Sequence, residues 1–266
     1  MWDFHHDPHQ ARLRARYNLH LTAPAECAAE LLAGRADLGL IPIASLTPEL
    51  RIVPGCAIAS LQRVRSIQLI VREPLALEQV KTVAADAASK SSIAYAEILF
   101  RHFLGTRPAF HETPADVPAM LAHADAALVI GDPALLALEH RAAIEAQAGP
   151  CRWYDLAEEW HARTNLPWVA AVWAVRPEAV PTPEARRQLI ADLNDSRRHG
   201  LAHIDQLVDE WTPRIAIPPA TIRAYLSENI HYALDPSCLR AIATFRTLAA
   251  SIGLLDPLPS LPLLEI

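Results

Sequence analysis

The sequence predicts a two-lobed α/β protein with a helical C-terminal region. Three observations predict it. Two strand–helix–strand patterns occur in tandem before Asp132, an apolar stretch at Leu166–Val175 returns the chain between them, and capped helices follow from Thr182. The 266 residues, 52% of them hydrophobic, suffice for one large core or two smaller ones.

In the first module, Tyr17–Thr22 alternates and reads as a strand. Pro24 suits a first helical position, Glu26–Leu32 continues the helix, and Gly34 stops it. Asp37–Pro42 is a short buried strand, parallel to the first because a helix joins them. Ligands gather at the carboxyl ends of such strands, where Ile43, Ala44 and Ser45 lie. Ala57–Ser60 and Ser66–Val71 are separated by five residues and read as a hairpin or a paired crossover segment.

The second module gives a strand at Val80–Ala85, a polar turn at Asp86–Ser92, and a helix at Ile93–Leu104 closed by Gly105. A strand at Pro108–His111, a helix at Val117–His123 and a strand ending at Ile130 follow. Helices are expected at Pro183–Arg198, Leu201–Trp211, Pro219–Leu234 and Pro236–Ile252, then an extended proline-rich tail. Lobe one is therefore residues 1–72 and 172–266, and lobe two residues 73–171. A cleft between them is able to close on a small molecule by hinge motion.

Composition excludes several classes. A net charge of −6 without clustered Lys and Arg argues against nucleic acid, though not against a small anion. No apolar run has the length of a membrane span, and Met1–Asp7 carries neither a basic start nor an apolar stretch, so a cytoplasmic protein is expected. Cys27, Cys56, Cys151 and Cys238 stand far apart and read as free thiols. Neither G-x-x-x-x-G-K nor G-x-G-x-x-G occurs, so ATP and NAD sites of those kinds are unsupported.

Ser89-Lys90-Ser91-Ser92 stands between a strand end and a helix start. It reads either as a carboxylate cradle of N–H groups, hydroxyls and one cation, or as an ordinary N-cap with spare serines. Asp132, after Gly131, is either a ligand-facing acid or a cap for the next helix. Arg63 and Arg65 are either carboxylate partners or solvated side chains. His5-His6-Asp7-Pro8-His9 and the pair His199/His203 read as surface groups rather than metal sites. Trp153, Trp160, Trp168 and Trp173 read as core or interlobe packing.

Five segments in order carry a resemblance. Arg51–Ser60 is similar to R-I-V-P-G-x-A-I-A-S, and Val64–Ile67 follows it as in G-P-V-R-S, with Gln62-Arg63 for Gly-Pro. Asp86–Ser92 is similar to D-T-S-S-R-T-S, with Ala87, Ala88, Lys90 and Ser91 as replacements. Asp125–Leu135 and Tyr154–Trp160, with Thr164–Trp173 after it, complete the set. Together they resemble the chorismate dehydratases of the futalosine route to menaquinone, from about Ala25 to Pro177. The resemblance implies a type II periplasmic-binding-protein fold. A sister family that cyclises a futalosine derivative carries a histidine where Gly131 stands here, which favours the dehydratase.

Family members open with a strand ending in Ser-x-x-Asn-(Thr/Ser)-x-Pro-Leu, whose Asn faces substrate. This sequence opens after that point, so lobe one is expected without that strand and Asn. The resemblance implies dehydration of chorismate, a dianion, to 3-(1-carboxyvinyloxy)benzoate, with no cofactor and no metal. The alternative is a non-catalytic small-anion-binding protein or inactive paralogue of the same fold. Expected site residues are Asp132 for catalysis, and Ile43, Ser45, Arg65, Ser66, Ser89, Lys90, Ser91, Ser92 and Gly131 for substrate binding. No membrane partner and no particular oligomeric state is expected.

Overall fold

The computed structural model describes residues 1–86 and 90–266. Two short helices, α1 (Trp2–His5) and α2 (Gln10–Arg14), precede α3 (Pro24–Leu32), which begins on Pro24. Strands β1 (Leu38–Pro42), β2 (Arg51–Ser60), β3 (Ile67–Arg72) and β4 (Thr82–Asp86) follow, with a 3-10 turn at Ile43–Ser45. Next come α4 (Lys90–Ile98), which runs into a π turn at Leu99–Phe103, then β5 (Ala109–Thr113) and α5 (Val117–His123). The sheet region ends with β6 (Ala126–Ile130), α6 (Gly131–Glu139), α7 (Arg141–Ala148), β7 (Cys151–Asp155), α8 (Leu156–Thr164) and β8 (Trp168–Val175). The remainder is α9 (Pro183–Ala202), α10 (Ile204–Trp211), α11 (Pro219–Ala224), a π turn at Tyr225–Asn229, β9 (His231–Leu234) and α12 (Pro236–Ser251).

The strands form two sheets, β1-β8-β2-β9 and β5-β4-β6-β3-β7. In the five-stranded sheet β4 runs parallel to β5 and β6, while β3 runs antiparallel to β6 and β7. Central strands bury both faces. Along β6, Ala126 and Leu128 enter a large core shared by both sheets, while Ala127 and Val129 enter a second core under α5. The large core joins the lobes through Tyr95, whose ring meets Trp160, Trp168 and Phe245 at centroid distances of 4.9, 5.5 and 4.5 Å. A third core lies between the four-stranded sheet and α9. Among the described residues, no helix is long and apolar enough to cross a membrane.

Several expectations are corrected. Tyr17–Thr22 is not a strand: its alternation leads to solvent, with Leu21 78% exposed, and Tyr17 is held instead by Asp192. The parallel pair expected in lobe one is absent, because β1 pairs antiparallel with β8. The segments at 57–60 and 66–71 do not pair; β2 bonds β8 and β9, while β3 bonds β6 and β7. Residues 61–66 are thus a crossing between sheets. Sheet membership therefore puts β3 with the second lobe and all of β8 with the first, earlier than the expected changes at 72/73 and 171/172. The helix expected through Leu234 stops at Asn229, and His231–Leu234 becomes a strand on the edge of β2. The helix expected from Ile93 begins at Lys90. All four cysteines are free, as expected.

Candidate ligand site at the facing sheet edges

Topology gathers the candidate residues. The carboxyl ends of the parallel strands β4 and β6 lie at one edge of the five-stranded sheet. The antiparallel register Ile67↔Ile130 brings the start of β3 to that edge, and Gln68↔Asp155 brings the end of β7 there. Lys90–Ser92, Ser66, Gly131–Asp132 and Asp155 therefore share one rim. On the four-stranded sheet, Pro42↔Ala171, Ser60↔Trp168 and Ala59↔His231 define the corresponding end.

Ser91 joins the two rims. Its hydroxyl oxygen accepts from the Ala44 N–H at 3.4 Å, and the hydroxyl donates to the Ala170 carbonyl at 3.3 Å. Ser91 and Ser92 are buried at the first turn of α4, and Lys90 is exposed there. Ala44 and Ser45 are half-buried at the 3-10 turn, but Ile43 is fully buried, so its side chain packs in the large core. Ser89 lies outside the described residues. One turn further along α4, the Tyr95 hydroxyl donates to the Val169 carbonyl at 3.0 Å and accepts from the Val169 N–H at 3.2 Å.

The crossing at residues 61–66 is held by Asp155. Its carboxylate accepts from the N–H groups of Val64 (3.3 Å) and Arg65 (2.6 Å), and also caps α8 through Ala157 (2.9 Å) and Glu158 (3.3 Å). Arg65 sits there in the left-handed region, φ +65°. Burial raises the Asp155 carboxyl pKa above its ordinary value, outweighing those N–H groups. The Arg65 guanidinium reaches Glu139 at 3.6 Å, and its buried Nε has no partner among the described residues. Arg63 is half-exposed, 3.7 Å from Glu158 and 4.0 Å from Asp155.

Ser66 ties three elements together. Its carbonyl accepts from the Gly131 N–H at 2.8 Å, and its hydroxyl accepts from the Tyr225 hydroxyl at 3.1 Å. Gly131 opens α6 with φ +61°; an added Cβ would meet nothing within 4 Å, so backbone conformation, not space, calls for glycine. Asp132 is not the helix cap expected from sequence. Ile130 occupies that place, and Asp132 is exposed in the first turn. Burial raises the Tyr225 pKa, and the Asp132 charge raises it further.

Sequence reasoning missed Tyr225, Ser60, Trp168 as a polar group, and Asn229. Ser60 Oγ, Trp168 Nε1 and Asn229 Oδ1 are buried without a hydrogen-bond partner among the described residues. Ser60 and Trp168 are cross-strand partners at the rim that faces α4. Buried polar atoms ordinarily have partners, so this pair is chemically suited to a polar ligand. No local sequence signal marks them, because the juxtaposition depends on strand register. Asp155 was findable: D-L-A-E puts a cap three residues before Glu158.

The arrangement can orient a small anion between hydroxyls, backbone N–H groups and one guanidinium. Known proteins bear on it. A family model described as menaquinone biosynthesis matches residues 3–251. Chorismate dehydratase of Thermus thermophilus is 30% identical over 238 residues, spanning 85% of this chain and 84% of that protein. A crystal structure of an Archaeoglobus fulgidus protein matches with TM-score 0.70 at 13% identity, covering 96% of this chain and 94% of that one. The periplasmic aliphatic sulphonate-binding protein of Escherichia coli matches with TM-score 0.62 at 15% identity, covering 97% and 88%. The fold is that of the periplasmic binding proteins.

Proposed function

The chain belongs to the menaquinone-biosynthesis family, and from that premise we propose that it is a lyase that dehydrates chorismate to 3-(1-carboxyvinyloxy)benzoate. The observation that carries this reading is the 30% identity to a chorismate dehydratase over 85% of the chain. The rim geometry supports it. The reaction removes one ring proton and one ring hydroxyl as water, and the ring becomes aromatic. No oxidant enters the balance. The protein has to hold two carboxylates, assist the proton and stabilise the departing hydroxyl.

The first turn of α4 takes one carboxylate through the Ser92 hydroxyl and the helix N-terminal N–H groups, while Ser91, bonded to Ala44 and Ala170, holds that turn in place. Arg65 and Lys90 supply positive charge. Ser60 Oγ and Trp168 Nε1 give the ligand hydrogen bonds that no described residue gives them. Asp132, beside Tyr225, orients a hydroxyl or relays a proton. Ser45, Ser66 and Gly131 shape the rim on which these groups sit.

The test incubates chorismate with the full product of the reading frame and follows aromatic absorbance and loss of one water by mass. Turnover is expected, and Ser91→Ala is expected to lower kcat/KM by about 10- to 100-fold. Saturable chorismate binding without any product would replace the lyase by the non-catalytic anion-binding reading.

A further inference from the structure

We propose a second site, for a divalent first-row transition ion such as Zn2+, formed by Asp3, His9 and His199 on the face of the four-stranded sheet that packs against α9. The three residues come from α1, the residue preceding α2, and α9. One donor atom from each lies within 4.8 Å of the other two. Two imidazoles and one carboxylate are a donor set that suits Zn2+, Co2+ or Ni2+ rather than Mg2+ or Ca2+.

Three features go beyond proximity. The Asp3 side chain is 2% exposed, and both of its oxygens lie 2.9 Å from His199 Nδ1. A desolvated carboxylate thus faces an imidazole, and His199 is its ion-pair partner among the described side chains. The His9 ring stacks on His199 at 5.2 Å and 13°, and no described residue hydrogen-bonds it. Finally, the backbone is pinned: the Asp3 N–H donates to the buried Ser196 hydroxyl at 3.0 Å, one turn before His199 on α9. Donor groups on an anchored scaffold lose little freedom on binding an ion.

The contrast with His231, Asp235 and Cys238, whose donor atoms also cluster, sharpens the choice. There Asp235 Oδ1 accepts from the Ser237 hydroxyl (2.5 Å) and the Cys238 N–H (2.9 Å), and Oδ2 faces His231 Nε2 at 2.9 Å. Burial pushes the Cys238 thiol up to about 11, and it would have to ionise to bind. The Asp3 cluster contains no thiol. An ion there would clip two short helices, each too short to be stable alone, to the longest helix of the molecule.

The experiment uses the full chain without a histidine tag, stripped by chelator. Titration with Zn2+ is expected to show one strong equivalent and to raise Tm by about 5 °C. His9→Ala and His199→Ala should each weaken the affinity at least 10-fold, while His231→Ala should bind as the parent does. His199→Ala removes the Asp3 partner and risks misfolding; His9→Ala removes a stacking contact and keeps the test decisive. An unchanged Tm with Zn2+, parental affinity in His9→Ala, or loss of binding in His231→Ala would each overturn the proposal.

Discussion

Asp155 and Asp192 are both carboxylates buried to within 3% exposure, yet their environments push them in opposite directions. Burial raises both. For Asp192, hydrogen bonds from Arg12, Arg16 and the Tyr17 hydroxyl reverse the effect and hold its carboxyl below the ordinary range. For Asp155, the neighbours are four backbone N–H groups and Gln68, with Arg63 half-exposed at 4.0 Å, and burial prevails. The two acids accordingly do different work. Asp155 shapes the crossing between the sheets, while Asp192 fastens the N-terminal segment to α9. Asp192→Ala should leave the Tyr17 hydroxyl without its acceptor and two guanidinium groups without their carboxylate. A loss of about 3 kcal/mol in urea unfolding is expected, and a loss below about 1 kcal/mol would show that the arginines find water instead.

At the scale of elements, α9 shows what a sequence reading reaches and where it stops. Its start was legible, because Thr182 caps it through the Ala185 N–H at 3.2 Å and Pro183 follows. Its polar stripe, Asp192, Ser196 and His199, with His203 just past its end, was not read as a binding face. Each member meets the N-terminal helices, His203 by stacking on Trp2 at 4.4 Å. Capped helices and the doubly buried β6 were legible because their signals are local. The residues at 17–22 and 231–234 were misread because alternation and periodicity do not reveal which partner a segment will find. The same limit divides the site: the serines opening α4 carry a local signature, whereas Tyr225, Ser60 and Trp168 depend on contacts across more than 100 positions. The misread strand β9 is followed by Asp235, which caps α12. Burial alone would raise its carboxyl, but the Ser237 hydroxyl, the Cys238 N–H and His231 hold it at about 2. A folded pKa below the unfolded value of 3.8 means that this stabilisation is complete above about pH 4 and is lost as pH falls through 2. Asp235→Asn should therefore be less stable by about 1 kcal/mol at pH 7. The gap in urea midpoints between variant and parent should narrow between pH 4 and pH 2.5, and a gap constant over that range would mean that the charge plays no part.

At the scale of the whole molecule, two sheets need not mean two folding units. The buried cluster that contains Ile41, Ala57 and Val172 of the four-stranded sheet also contains Leu69, Val83 and Leu128 of the five-stranded one. Tyr95 sits at the junction, with its ring on Phe245 of α12 and its hydroxyl on β8, although its own helix follows β4 of the other sheet and packs against α8. Breaking that junction exposes apolar surface on both sides, so neither sheet is expected to unfold while the other keeps its packing. Phe245, fully buried there, is the residue to remove. Phe245→Ala should cost about 4 kcal/mol. Hydrogen exchange should speed up together at Val83–Ala85 and at Val169–Val172, on opposite sides of the junction. If protection fell at one set of amides alone, the sheets would be independent units and closure on a ligand would be free to proceed as a rigid-body swing. If it falls at both, rearrangement around a ligand is confined to the rim, where Ser91, Ser66 and Tyr225 join the sheets through hydrogen bonds of 3.1 to 3.4 Å rather than through the core.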